Sequence, residues 1–349
     1  MIQELQARQL ASGAMFEDSI AISFGNDGAA ISAAKEGVAL YDRSHWGRIL
    51  VTDSDRLRFL HNQSTNDFQK LKTGEGCDTV FVTSTARTID LATGYVMEDG
   101  VMLLVSPNRR EKLLKWLDRY IFFADRVKLT DITDDTATFS TIGPKSDAIL
   151  EKLGIEEIIG KPLNSHQLFS IENIEVRVAV GSGLATPGYT FIVPVDGAVQ
   201  IWSKLLEAGT MPCGENAWEK LRILEGRPVP DRELTEDYNP LEVGLWDTIS
   251  FNKGCYIGQE TIARLNTYKG VKQQLWGIRL QGMVELGSPI NLEDEKVGIL
   301  TSYTETEQGC FGLGYVRTKA GGKGLKVQVG ETEGEVVEIP FVSHEYPVS

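Results

Sequence analysis

The sequence predicts an α+β protein of mostly antiparallel sheets with intervening helices, ending in a small β-barrel. Three observations lead there. Strand-length apolar runs alternate with segments of helical apolar spacing up to about residue 270. From about 272 the texture changes to short strands separated by glycine. Neither an internal repeat nor a low-complexity tract is visible, and Gly, Pro and Ser are scattered as punctuation, so the domains are expected to be closely packed. The expected division is 1–271, holding two α+β units, and 272–349, holding the barrel.

Taken in order, MIQELQARQLASGAMFEDS reads as a short amphipathic helix; its early acids and lack of a basic region before an apolar run do not fit a secretory signal. GVALYDRSHWGRILVT (37–52) reads as strand, polar turn, strand. The next segment, DSDRLRFLHNQSTNDF, opens on acids and shows helical spacing at Leu57 and Leu60, with Asp53 or Ser54 as the cap. Strands follow at 78–84, 88–97 and 101–106, and Pro107 then precedes a helix with Leu113, Leu114, Leu117 and Ile121 on one face. A similar alternation from 136 to 208 suggests a second unit of the same type. A helix carrying Arg222, a Gly-Arg-Pro turn and an Asn-Pro-Leu-Glu segment lead to KGCYIGQE, after which a helix begins near Gln259. In the barrel, QLWGIRL, EKVGILTSY, GLGYVR, KVQVG and EVVEIPF are strands, and GGKG at 321–324 is a turn.

At 349 residues and 42% hydrophobic, the chain has the make-up of a soluble globular protein of two or three domains. No run approaches the roughly 18 apolar residues of a membrane span. A net charge of -14 repels nucleic acid and anionic membrane alike, so neither is an expected partner, and an anionic ligand needs a local basic pocket. The cysteines at 77, 213, 255 and 310 form no CxxC pair and no zinc spacing, which points to free thiols in a reducing compartment and to no metal site.

Few segments carry chemistry. GSGLATPG at 181–188 lacks the Lys-Ser/Thr of a phosphate loop and reads as a turn. Of the four histidines, His61 sits in a helical pattern and reads as packing or surface, whereas His45 shares a turn with Asp42, Arg43 and Ser44. Cys255 leaves two readings open. Lys253 two residues before it and a helix start after it both favour the thiolate, but free cysteines are also common space fillers. Arg222 presents a planar fork suited to an anionic ligand, against the alternative of an ordinary surface charge.

These residues resemble a family. KGCYIGQE, continued by Arg264, is similar to the signature of the YgfZ-type folate-binding proteins, relatives of the glycine cleavage T-protein, an aminomethyltransferase. The likeness covers most of the chain: Asp42, Ser44 and His45 match an Asp-x-Ser-His motif, Thr65, Asn66 and Asp67 a Thr-Asn-Asp segment, and LRILEGRPVPDREL and NPLEVGLWDTISFNKG two further stretches. The resemblance implies a T-protein-like arrangement of three domains around a central channel holding tetrahydrofolate. It implies a role in iron-sulfur cluster assembly or repair, with cluster enzymes or assembly proteins as clients, among them the enzyme that methylthiolates tRNA. In that role Cys255 is the functional thiol, Lys253 lowers its pKa, the folate sits near Arg222 and Asp90, and Tyr256, Gln259 and Glu260 shape the loop and the helix start, whereas Asp90 is the catalytic acid-base group of the transferase alternative. TARTIDL and LNTYKGVKQ look most like the photosynthetic branch, implying cytoplasm, or plastid stroma for a plant chain. The alternative is a tetrahydrofolate-dependent aminomethyltransferase of the T-protein type. Against it, Asp90 stands where the T-protein has paired acids, and Thr186 and Thr190 stand where it has pterin-binding glutamate chemistry; buried donors left unpaired cost about 1–3 kcal/mol each.

Overall fold

The computed structural model describes residues 2–307 and 309–346. Two compact units emerge. The first comprises residues up to Phe59, Phe68–Cys77 and Thr93–Glu219; the second comprises Leu60–Asp67, Asp78–Ala92 and the chain from Lys220 onward. Residues 60–67, 78–92 and 220–271 therefore group with the barrel residues, a division that sequence texture near 270 does not suggest.

In the first unit a six-stranded sheet runs in the order His166–Ile171, Ile174–Val180, Gly188–Pro194, Thr136–Ile142, Ala39–Asp42, Met211–Cys213. All its pairings are antiparallel except the last, where Met211 to Cys213 run parallel to Ala39 to Tyr41. Apolar alternation explains the buried face: Phe139, Val176, Val178, Phe191 and Val193 join Ile201, Trp202 and Leu205 of helix Ala198–Glu207 in one core. Strands Gly100–Val105, Gly47–Thr52 and Lys128–Asp131 lie side by side, with Gly47–Thr52 antiparallel to both neighbours, while strands Gly76–Val82 and Thr88–Val96 each have residues in both units. The three strands expected at 78–84, 88–97 and 101–106 are thus present with ends shifted by one or two residues. Helix Arg110–Asp118 buries Leu113 and Leu117 as expected, but it stops at Asp118, so Ile121 lies in the following turn.

In the second unit, the strands Gln273–Leu280, Gly309–Arg317, Glu295–Thr306, Pro289–Leu292, Lys326–Val329 and Thr332–Val337 close into an antiparallel barrel in that order. Its interior is aliphatic, with Ile278, Ile290, Leu300, Val316, Val329 and Val336 fully or almost fully buried. The Asn-Pro-Leu-Glu segment forms a short helix, Pro240–Val243. The Asn239 side chain accepts from the backbone of Leu241 and Glu242, and Asn239 N donates to the Glu242 carboxylate, which is a capping box. Among the described residues no helix is long and apolar enough to cross a membrane.

Candidate functional site around Cys255

The segment from Lys253 to Gly258 is fixed at both ends by side chains that face inward. Lys253 is buried, and its ammonium donates to the carbonyls of His61 at 2.5 Å, Ser64 at 2.6 Å and Asn66 at 2.6 Å. These carbonyls belong to the last turn of helix Arg56–Gln63 and the chain just beyond it, where a helix leaves carbonyls without partners and carries partial negative charge. An ammonium has three donors, so all three are used here. Its nitrogen also lies 4.5 Å from the centroid of the Tyr256 ring.

Tyr256 supplies the second anchor. It is 9% exposed and packs with Ala86, Leu241, Trp246, Ile249, Ile262 and Val271, and burial pushes its phenol well above the ordinary range. The Ile257 amide donates to Asn62 O at 3.1 Å, tying the segment to the same helix end. Gly258 follows at φ +82°, a left-handed conformation, where a Cβ would stand 2.9 Å from Val82 Cγ2 and 3.0 Å from Thr83 O. Glycine alone fits there, and helix Gln259–Thr267 begins immediately after it, close to the predicted start. Gln259 is half-buried and Glu260 exposed, the latter in the first turn where an acid suits the helix dipole.

Between the two anchors Gly254 and Cys255 are exposed. Cys255 therefore fills no space in the core. Lys253 is the correction. Its spacing suggests a cation serving the sulfur, but its donors serve a helix end, so its place is to position the segment.

Arg222 is fully enclosed; its Nη1 bonds Glu233 Oε2 at 3.0 Å and its Nη2 donates to Ser302 Oγ at 2.8 Å. Glu233 is equally enclosed and accepts from Thr301 Oγ1 and Ser302 Oγ, each at 2.7 Å, and from Val229 N at 3.2 Å. The expected folate-gripping fork is therefore a buried ion pair that joins helix Glu215–Glu225 to barrel strand Glu295–Thr306. Asp90 lies in strand Thr88–Val96 with no exposed surface. Thr190 donates its hydroxyl to Gly181 O at 2.8 Å and is 1% exposed, while Thr186 is half-buried.

Sequence reasoning passed over one pair beside the segment. His61, expected as packing, is 5% exposed, its Nδ1 is 2.9 Å from Asp67 Oδ1, and a Cβ placed on Gly254 would lie 3.8 Å from its Nε2. A Cβ at 254 would meet that imidazole in ordinary van der Waals contact.

In the first unit the Asp-x-Ser-His motif forms a local knot. Asp42 accepts from Ser44 N and from Gln9 Nε2, each at 2.8 Å, and burial raises its carboxyl above the usual range. Arg43 lies over the Trp46 ring at 4.1 Å, against Gly183, where a Cβ would stand 2.5 Å from its Nη1. His45 Nε2 is 3.6 Å from Glu215 Oε2, yet burial first, then Arg43 and Arg48, hold the imidazole neutral down to about 3. The neutral ring lines a cavity of about 210 Å³ together with Gln9, Asp42, Ser44, Arg110 and Asp134. Among the described residues no group of His, Cys, Asp and Glu side chains is arranged to hold a metal ion.

Comparison with known proteins now bears on this arrangement. The chain is 47% identical over 348 residues to a chloroplastic protein of Arabidopsis thaliana provisionally named a transferase, covering 99% of this chain and 81% of that one. An aminomethyltransferase of Caldanaerobacter subterraneus subsp. tengcongensis is 29% identical over 309 residues, covering 85% of this chain and 82% of its own. The crystal structure of the glycine cleavage system aminomethyltransferase T from Bartonella henselae superposes with a TM-score of 0.84 over 98% of both chains at 19% identity, a likeness of fold. Residues 12–253 match the family model described as the GCVT N-terminal domain, and on that match the chain belongs to this aminomethyltransferase-like family.

Proposed function

We propose that the protein binds a reduced folate, as tetrahydrofolate, and supports the assembly or repair of iron-sulfur clusters, with Cys255 as its functional thiol. The observation that carries the reading is the exposed cysteine between two buried anchors, Lys253 and Tyr256. A free cysteine is among the most buried residue types; holding one at the surface by a buried ammonium and a buried ring is a costly arrangement for a residue with no task. Thiolates both ligate iron and attack electrophiles, and one cysteine in the motif suits transient contact with a cluster rather than a stably held one. The folate part of the reading rests on family membership, since Arg222 is committed to Glu233. The site of action is the cytoplasm, or a plastid stroma, in keeping with the chloroplastic name of the Arabidopsis relative.

A second reading, tetrahydrofolate-dependent aminomethyl transfer with Asp90 as the acid-base group, is favoured by the relatives named aminomethyltransferase. One pair of assays separates the two. The purified chain is titrated with tetrahydrofolate and tested for turnover with an aminomethyl donor, as the native form and as Cys255→Ala and Asp90→Asn. The first reading expects folate binding without aminomethyl turnover. Turnover that survives Cys255→Ala and is lost in Asp90→Asn selects the second, and absence of folate binding contradicts both.

A further inference from the structure

In a chain of net charge -14 the surface of helix Arg110–Asp118 and the turn beyond it is positive. Lys112, Lys115, Arg119, Arg126 and Lys128 are exposed there, against the exposed acids Glu111 and Asp118. At the tip stand two adjacent phenylalanines, Phe122 at 71% and Phe123 at 108% exposure. Both stand among the most exposed large apolar side chains described.

The tip is held in shape. Phe122 N donates to Asp125 Oδ2 at 2.9 Å, and Asp125 N donates back to Phe122 O at 2.9 Å. Arg58 Nη2 bonds Asp125 Oδ1 at 3.0 Å. Arg126 N donates to Asp55 Oδ2 at 2.9 Å, and Asp55 N to Arg126 O at 3.0 Å. The Arg126 amide, ahead of Arg58, holds the Asp55 carboxyl below its usual range. Two apolar rings are thus presented outward on an ordered turn.

The same helix and turn carry the half-buried Trp116 and Tyr120, ring centroids 4.8 Å apart, and the exposed Lys112, Lys115 and Arg119, whose i, i+3, i+7 spacing puts them on one face. An interfacial anchor combines these groups: apolar side chains toward the acyl boundary, Trp and Tyr at headgroup depth, cations at the phosphates. We propose that the Phe122–Phe123 turn docks the protein reversibly on an anionic lipid surface. A fluid interface accepts a convex pair of rings without a matching pocket, which favours lipid over a folded partner. The molecule's overall negative charge opposes approach, but at 0.1 M salt a charge is felt over about 10 Å, so the local cations decide at contact. Net charge alone, which argues against a membrane partner, does not register such a patch. The inference is independent of the folate reading.

The test is flotation of the full chain with vesicles of phosphatidylcholine alone and of phosphatidylcholine mixed with phosphatidylglycerol, at low and high salt. The expected result is binding to the mixed vesicles at low salt, release at high salt and no binding to phosphatidylcholine alone. Phe122→Ser/Phe123→Ser should lower partition about tenfold or more, and Lys115→Glu/Arg119→Glu should do the same. Both variants should keep the native unfolding transition because the substituted side chains are exposed; if the double phenylalanine variant does not fold, Phe123→Ser alone serves. No binding to the mixed vesicles, or binding that the phenylalanine variant leaves unchanged, overturns the proposal. So does self-association without lipid, seen by light scattering and removed by the phenylalanine variant, which would assign the tip to a second copy of the chain.

Discussion

Lys253 and Cys255 are two residues apart in sequence and have opposite surroundings: the ammonium is enclosed by three carbonyls, the thiol faces out. Removing the ammonium strands buried acceptors. Lys253→Met is therefore expected to lower unfolding stability in urea by about 2–4 kcal/mol. Cys255→Ala touches an exposed side chain and should stay within about 0.5 kcal/mol of the native chain. Equal losses in the two variants would mean that Cys255 is a packing residue. The Lys-Gly-Cys spacing made the cysteine visible as a candidate in the sequence. What it could not show is the partner of the lysine, because His61 O lies 192 positions away along the chain. His61 and Asp67 were missed for a related reason: their contact closes only when the chain turns after the helix, and an isolated histidine in a helical pattern carries no sign of it.

At the scale of elements, local pattern was a good guide and burial of charge was not. The helix after Cys255 begins near its expected start because Gly258 is a strong backbone signal. Gly258→Ala should cost about 1–3 kcal/mol, measured by thermal or urea unfolding, since both the left-handed backbone and the nearby Thr83 carbonyl reject a Cβ. By contrast, Arg222 read as an exposed or ligand-facing fork. Its real surroundings are set by Glu233 and by Ser302, which is 80 positions away. Breaking a buried ion pair leaves one charge uncompensated, so Arg222→Met should destabilise by about 3–5 kcal/mol, and Arg222→Met/Glu233→Leu should regain much of that loss. A variant Arg222→Met with native stability and weakened folate binding would restore the ligand role.

At the scale of the whole molecule, the histidines dictate how the fold responds to acid. Burial, followed by Arg43 and Arg48, lowers His45 from 6.5 to about 3, and burial with Arg177 lowers His166 to about 4. Below 6.5 the unfolded chain takes up protons that these folded sites refuse. Their contribution is thus present above pH 6.5 and is lost as pH falls toward 4 and then 3. Asp42 works in the opposite sense, because burial raises its folded value, so it softens the loss only near the carboxylate range. The thermal midpoint is expected to fall between pH 7 and pH 4, with a shallower slope in His166→Gln; an unchanged slope in that variant would show that the imidazole titrates normally. The α+β class and the closed barrel were legible in apolar period and glycine spacing. The grouping of residues 60–67 and 78–92 with the barrel-containing unit was not, since it depends on contacts between distant segments.

The most direct test of the central claim is to supply cells lacking their own YgfZ-type protein with this chain or its Cys255→Ala form and to measure the cluster-dependent methylthiolation of tRNA. The account predicts that the native chain restores the modification and that the alanine form, equally abundant and folded, does not. Equal restoration by both would contradict a chemical role for Cys255, and restoration by neither would contradict the iron-sulfur reading itself.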